Sequence, residues 1–202
     1  MNLFHSPTSP YVRKVMVLIA ETGLTGISIT PASGTPIAPD AGVIERNPLG
    51  KIPALEREGG PTLYDSRVIC QFLNAEAGAK LYPAAPRLWD TLTVEATADG
   101  ILDAALLMVY ETRIRPEENR FAPWVEGQWS KISRALDTLE SRWIDHLNKG
   151  PLDMGQIATG CALGYLDFRL SARHWRMGHP LLAAWEAGFA ARPSMQATLP
   201  PG

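Results

Sequence analysis

Leu3-Phe4-His5-Ser6-Pro7-Thr8-Ser9-Pro10-Tyr11-Val12-Arg13-Lys14-Val15-Met16-Val17-Leu18-Ile19-Ala20 reads as a short strand, a polar turn and an amphipathic helix. Val12, Val15, Met16 and Ile19 recur at i, i+3, i+4 and i+7, which is one apolar helix face. Ser9-Pro10 is a helix-start signal: a hydroxyl able to cap free amides, then a proline where no N–H is missed. A hydroxyl in this place is either a cap alone or part of an anion site. Unpaired N–H groups and the helix dipole both point toward it. The rest of the chain has to decide between the two.

Moving outward, residues 2–5 are predicted as a strand, 10–23 as a helix stopped by Gly23, and 27–30 as a second strand. Residues 31–42 form a Pro/Gly-rich loop, and a short helix is expected over 42–46. Asn47-Pro48-Leu49-Gly50 is a turn, 52–57 a third strand, Glu58-Gly59-Gly60-Pro61 a hairpin turn and 62–64 a fourth strand. Asp65-Ser66 then caps a helix running to about Ala77, with Val68, Ile69, Phe72 and Leu73 on one face. The order β-α-β-α-β-β-α over residues 1–77 predicts an α/β domain, a mixed sheet covered by helices.

Residues 78–86, with Pro83 and Pro86, read as a linker. Beyond it, 87–202 is predicted as an all-α domain. Leu88 to Arg115 is one long helical pattern with an alanine-rich middle, ended by Pro116. Trp129, Ile132, Leu136, Leu139, Trp143 and Leu147 form a second stripe. Asp153 with Gln156 gives a capping-box start to a further helix through Phe168. Residues 180–191 are a last helix, and Pro193 begins a poorly structured tail.

At 202 residues, 46% hydrophobic and 20% charged, the chain has the make-up of an ordinary globular protein whose core needs no disulfide or metal staple. A formal net charge of -2 implies no global nucleic-acid or anionic-membrane surface. Cys70 and Cys161 lie far apart in apolar stretches, without C-x-x-C or zinc spacing, and are expected to be reduced core residues. No leader pattern and no apolar run of the ~20 residues a bilayer requires is present, so the expected compartment is cytoplasmic. A P-loop and G-x-G-x-x-G are absent, the four histidines are scattered, and Ser9 lacks the G-x-S-x-G context of a hydrolase nucleophile.

Three loops remain that converge in such a domain. One holds Ser9. A second is Lys51-Ile52-Pro53. There the proline is either trans at a strand start or cis, and a cis bond leaves the Ile52 amide and carbonyl free to pair with an extended peptide. The third is Asp65-Ser66-Arg67, either a plain cap or a carboxylate for an ammonium beside a hydroxyl and helix amides for a carboxylate. Together they suit a small zwitterionic peptide with a reactive group near Ser9.

These residues resemble the soluble glutathione S-transferase family over nearly the whole chain. Ser9-Pro10-Tyr11-Val12-Arg13-Lys14-Val15 is similar to its S-P-[FY]-x-R-K-[VA] segment. Asn47-Pro48-Leu49-Gly50-Lys51-Ile52-Pro53-Ala54-Leu55 is similar to N-P-x-G-x-[VI]-P-x-L, whose proline is cis. Tyr64-Asp65-Ser66-Arg67-Val68-Ile69 resembles the glutathione signature, and Gly160 to Arg169 the sixth-helix segment of bacterial members.

The resemblance implies a thioredoxin-like N-terminal domain, an all-α C-terminal domain, a homodimer, and glutathione as co-substrate with no metal. It implies that Ile52 binds the cysteinyl backbone, Asp65 and Ser66 the γ-glutamyl group, and Lys51 the glycine carboxylate, with Pro53 (cis) and Asp153 structural. Asp99 or Asp103 would reach the neighbouring subunit's γ-glutamyl group. Ser9 would donate its hydroxyl proton to the glutathione thiolate. Thr8 is the alternative donor, and Arg67 lies beside the same site. Tyr11, Met108, Tyr110, Arg113 and Trp175 are candidate walls for an electrophilic, hydrophobic small molecule. Where the family's sixth helix opens S/T-x-x-D, this chain has Asp153-Met154-Gly155-Gln156, which can still cap reciprocally. Where glutaredoxin-like relatives carry C-P-Y-C, it has Ser9-Pro10-Tyr11-Val12, so thiol–disulfide exchange, which needs an attacking thiolate, is disfavoured. The implied activity is a detoxification-type glutathione transferase. A non-catalytic interaction or regulatory relative, or a glutathione-dependent peroxidase or isomerase, are the competing functions.

Overall fold

In a computed structural model, which describes residues 1–201, β1 (Asn2–His5) is the central strand of a three-stranded sheet. β2 (Ser28–Pro31) pairs with it in parallel and β3 (Ala54–Glu56) antiparallel. Between β1 and β2 runs α1 (Pro10–Thr22), capped by Ser9 and ended by Gly23 at φ 68°, a left-handed conformation that glycine adopts without a Cβ clash. Its buried apolar residues are Val12, Val15, Val17 and Leu18, whereas Met16 and Ile19 are only half-buried. The apolar face therefore turns from the predicted one, because α1 packs on α3 (Ser66–Glu76) and on a C-terminal helix as well as covering the sheet. A short helix, α2 (Ala41–Arg46), is capped by Asp40, which accepts from the Val43 N–H at 3.2 Å.

Two expectations for this part of the chain are corrected. The fourth strand is reduced to a single bridge in which Leu55 and Leu63 exchange main-chain hydrogen bonds of 3.0 and 2.9 Å. Pro61 has no N–H for a ladder, and Asp65 already caps α3, so little chain is left to pair. On α3, Val68 is 45% exposed, and the buried positions are Ser66, Ile69, Cys70 and Leu73. That set also follows i, i+3, i+4, i+7, shifted around the helix from the predicted face.

The tail after Pro193 is a helix, α9 (Pro193–Ala197). It belongs to the same compact unit as Met1–Tyr82, whereas Pro83–Arg192 forms a second unit. Arg13, itself buried, donates to the Met195 carbonyl at 3.1 Å and to Thr198 Oγ1 at 3.4 Å, and Ser194 bonds Glu21. The polar ends of α1 thus hold a segment whose own sequence is too short and proline-rich to declare itself.

In the second unit, α4 (Arg87–Arg113) packs along α7 (Met154–Leu170) and α5 (Ala122–Thr138). The small residues Ala98, Ala104 and Ala105 are buried in α4. At Gly155 of α7, an added Cβ would lie 3.0 Å from Val94 Cβ and 3.1 Å from the Thr91 carbonyl, so glycine is what lets α4 and α7 approach. α7 is buried nearly all round from Met154 to Leu166, as its unbroken apolar run requires. The stripe from Trp129 to Leu147, expected as one helix, is interrupted by a π-helical turn at Leu139–Trp143 before α6 (Ile144–Asn148). Through this break Ile132, Leu136, Leu139 and Leu147 all stay buried. α8 (Pro180–Ala190) packs on α6 and α7. Both cysteines are free and buried.

Candidate active site

The strand register brings the three loops to one end of the sheet. Phe4 pairs with Ala54, and Leu55 with Leu63, so the chain leaving β1 at His5, the residues entering β3 and the residues entering α3 emerge side by side. Ser9, Ile52 and Asp65 lie on these three exits.

In the first loop the Ser9 N–H donates to the Ser6 carbonyl at 3.1 Å, and the Ser6 and Thr8 hydroxyls lie 3.2 Å apart. Ser9 is in extended conformation, φ −82° and ψ 120°, the usual state of a capping residue. Its Oγ accepts from the Val12 N–H at 3.3 Å. Among the described residues no acceptor takes the Ser9 hydroxyl proton. The residue is half-buried and stands where the α1 amides are directed. His5, at the start of this loop, is held below its ordinary pKa of 6.5 chiefly by burial.

Asn47, which sequence reasoning took only as part of a turn, fixes the second loop. It is buried, donates through Nδ2 to the Lys51 carbonyl at 2.7 Å and accepts at Oδ1 from the Leu49 N–H at 3.0 Å. The Ile52–Pro53 bond is cis, and the β1–β3 ladder ends at Ala54, so the Ile52 main chain lies outside it. The Ile52 side chain packs against Phe4, Ala32, Val43 and Ala54, while Lys51 is exposed.

In the third loop Asp65 caps α3, accepting from the Arg67 N–H at 3.0 Å, and its other oxygen pairs with the Arg67 guanidinium at 3.1 Å. Asp65 is exposed and Ser66 buried at the first turn of α3. The Tyr64–Asp65 bond is also cis.

The remaining candidates are scattered by their surroundings. Tyr11 is half-buried on α1. Asp99 is buried in α4 and Asp103 exposed, so of the two only Asp103 presents its side chain to solvent. Met108 is a core residue. So is Trp175, whose Nε1 donates to Asp167 Oδ1 at 2.8 Å. Tyr110 and Arg113 stay on the accessible side of α4.

Beside Tyr110 and Arg113 lie two residues of α7 that sequence reasoning did not single out, Tyr165 and Arg169. Burial pushes both tyrosine hydroxyls up, and burial followed by the neighbouring Arg113 charge pushes the Arg169 guanidinium down. The signal was present in the sequence as a tyrosine and an arginine at i and i+4, which share one helix face.

Asp153, at the start of α7, forms a buried hub. Its Oδ1 accepts from the Gln156 N–H at 3.1 Å, and Gln156 Oε1 accepts from the Asp153 N–H at 2.8 Å, the reciprocal capping expected from sequence. Its Oδ2 receives Arg87 at 2.9 Å and Thr91 at 3.0 Å, with His146 Nε2 at 2.9 Å. Among the described residues no group of His, Cys, Asp and Glu is placed to hold a metal ion, and no helix is long and apolar enough to cross a membrane.

Comparison with known proteins places these features in one family. Residues 8–76 match the glutathione S-transferase N-terminal domain and residues 122–188 the glutathione S-transferase C-terminal domain. An Escherichia coli K12 protein, the uncharacterized GST-like protein YibF, is 36% identical over 204 residues, spanning 100% of this chain and 99% of its own length. A glutathione transferase family member from Pseudomonas fluorescens Pf-5, solved with bound glutathione, is 48% identical with a TM-score of 0.96, covering 100% of this chain and 99% of that one. A structure of a Pseudomonas fluorescens Pf-5 family member with bound S-(propanoic acid)-glutathione superposes with a TM-score of 0.92 at 46% identity, covering 100% of both chains.

Proposed function

The chain belongs to the glutathione S-transferase family, and on that premise we propose that Ser9 stabilises the thiolate of bound glutathione for addition to an electrophilic small molecule. The observation that carries this reading is the Ser9 hydroxyl, which accepts from the Val12 N–H and keeps its own proton for another acceptor. Thr8 is the weaker candidate because its hydroxyl is already within bonding distance of Ser6.

A cysteine-type thiol titrates near about 8.5, so at neutral pH glutathione is mostly the unreactive thiol. Lowering that value by ~2 units requires about 2.7 kcal/mol of preferential thiolate binding. One hydrogen bond to a charged acceptor contributes about 1.5–3 kcal/mol, and the α1 N-terminus adds to it. Ser9 is then a hydrogen-bond donor and never a covalent nucleophile. The sulfur forms a bond to carbon, and the displaced electron pair leaves with the leaving group or moves onto a conjugated carbon that takes a proton from water. The glutathione thioether held by the Pseudomonas fluorescens relative supports thioether formation as the reaction.

The other two loops read as the grip on the peptide. The Ile52 amide and carbonyl pair with the cysteinyl backbone by strand addition. Asp65 and Ser66 meet the γ-glutamyl amine and carboxylate, with Arg67 orienting Asp65, and Lys51 meets the glycine carboxylate. On the same reading the chain is a homodimer in the cytoplasm. Thiolate absorbance of bound glutathione, followed against pH, tests the central claim. Ser9→Ala is expected to move the titration toward that of free glutathione and Thr8→Ala to leave it in place. An unmoved titration in Ser9→Ala would overturn the assignment.

A further inference from the structure

Tyr110 and Arg113 on α4 and Tyr165 and Arg169 on α7 bring two guanidinium groups and two phenols together across the most extensive helix contact of the second unit. Other arginines of this unit are paired with carboxylates: Arg176 with Asp167 and Glu186, Arg173 with Glu126, Arg115 with Glu111, Arg87 with Asp153. Arg113 and Arg169 have no carboxylate partner among the described residues. The Arg169 Nε is buried without a hydrogen-bond partner, and its guanidinium carbon lies 3.7 Å from the centroid of the Phe168 ring, in cation–π contact. Two like charges held near each other, one with a desolvated donor, are unfavourable unless an anion is to be received.

We propose that this cluster is a carboxylate-binding site for the acceptor substrate, so that the electrophile this chain uses carries an acidic group. A planar guanidinium offers a carboxylate two parallel N–H donors, and the phenol O–H groups of Tyr110 and Tyr165 complete a four-donor set with no competing acceptor charge. The phenols stay protonated because burial disfavours the phenolate. An aliphatic or aromatic acid therefore matches the site, and the uncharged ester of that acid does not. This inference rests on the transferase reading for the identity of the ligand, not for the existence of the site.

Two measurements separate the inference from that reading. The first is a calorimetric titration of the full-length protein, with glutathione present, using unreactive 4-nitrobenzoate and its methyl ester. The acid is expected to bind at least about tenfold more tightly than the ester, with the preference lost in Arg169→Met and Arg113→Met and kept in Arg169→Lys. Equal binding of acid and ester by the wild-type protein, or an acid preference untouched in both methionine variants, would overturn the site. The second is turnover of 4-chloro-3-nitrobenzoate and its methyl ester, in which the sulfur–aryl bond forms and chloride leaves with its electron pair. The acid-to-ester ratio of kcat/KM is expected to fall about tenfold to a hundredfold in Arg169→Met. A rise confined to the KM for glutathione would overturn the assignment by showing that the cluster serves the peptide's own carboxylate. Failure to bind immobilised glutathione would sink the transferase reading while the first titration still decides the anion site.

Discussion

Among the helices of this protein that start with a capping side chain, α1 and α7 differ most in how fully that side chain is used. At α7 the cap is Asp153, only 1% exposed, with both oxygens occupied by Gln156, Arg87 and Thr91, and with His146 alongside. At α1 the cap is Ser9, half-buried, receiving one amide at 3.3 Å and retaining its proton. A saturated buried cap has nothing left for a ligand, and removing it strands several partners. An unsaturated cap at the mouth of a loop costs little to keep and can still donate. The same local device serves as a foundation in one unit and, on the function proposed above, as a reactive-group holder in the other.

The largest effect that can break this comparison is Asp153→Ala. It leaves Arg87, Thr91 and Gln156 without their acceptor in the interior, and a loss of about 3–5 kcal/mol is expected from denaturant unfolding. A loss below about 1 kcal/mol would mean that the hub is no more than an exposed-type cap. Next comes Ser9→Ala, for which the bound thiolate should lose about 2.7 kcal/mol of preference, seen as a rise of ~2 units in its titration midpoint. Its unfolding free energy should fall by only about 1 kcal/mol, the ordinary value of a lost serine cap. The inverse pattern, a large stability loss with an unmoved titration, would make both caps structural.

Arg13→Met tests the support beneath α1. It removes the bonds to the Met195 carbonyl and Thr198 and is expected to cost about 1–2 kcal/mol, with earlier proteolysis after residue 192 as a second readout. The smallest effect concerns His5. Burial lowers its pKa below 6.5, so the unfolded chain binds the proton more readily than the folded one. Stability from this group is therefore complete above 6.5 and is lost as pH falls through that value toward the lower native pKa. Comparing unfolding free energies at about pH 7.5 and 5.5, the drop should be smaller in His5→Gln than in the wild-type protein.

Much of this was legible in the sequence, and the exceptions share a cause. Ser9-Pro10, Asp65-Ser66 and Asp153 to Gln156 announced their helix starts, because capping needs only a donor and acceptor a few residues apart. Cys70 and Cys161 were identifiable as core from their apolar neighbours. The failures lie where a distant segment decides the outcome. Thr62-Leu63-Tyr64 had strand propensity, yet only Leu63 found a place beside Leu55. Val68 fitted the periodic face but points outward, because the packing of α3 selected the neighbouring stripe. The C-terminal residues 193–197 looked unstructured and became α9 once Arg13 and Glu21 provided partners.

What the amino-acid sequence determined by itself was the run of elements, their caps and the residue types in three loops, since these follow from periodicity and hydrogen bonds of short range. What only the tertiary structure decided was which of those residues share a place. The pairing of Phe4 with Ala54 and Leu55 with Leu63 sets Ser9, Ile52 and Asp65 at one end of the sheet. The packing of α4 on α7 gathers Arg113 and Arg169 without a counter-charge. Both depend on contacts between segments far apart along the chain, and the free energy that fixes them is the burial of apolar surface across whole elements, which no single motif carries.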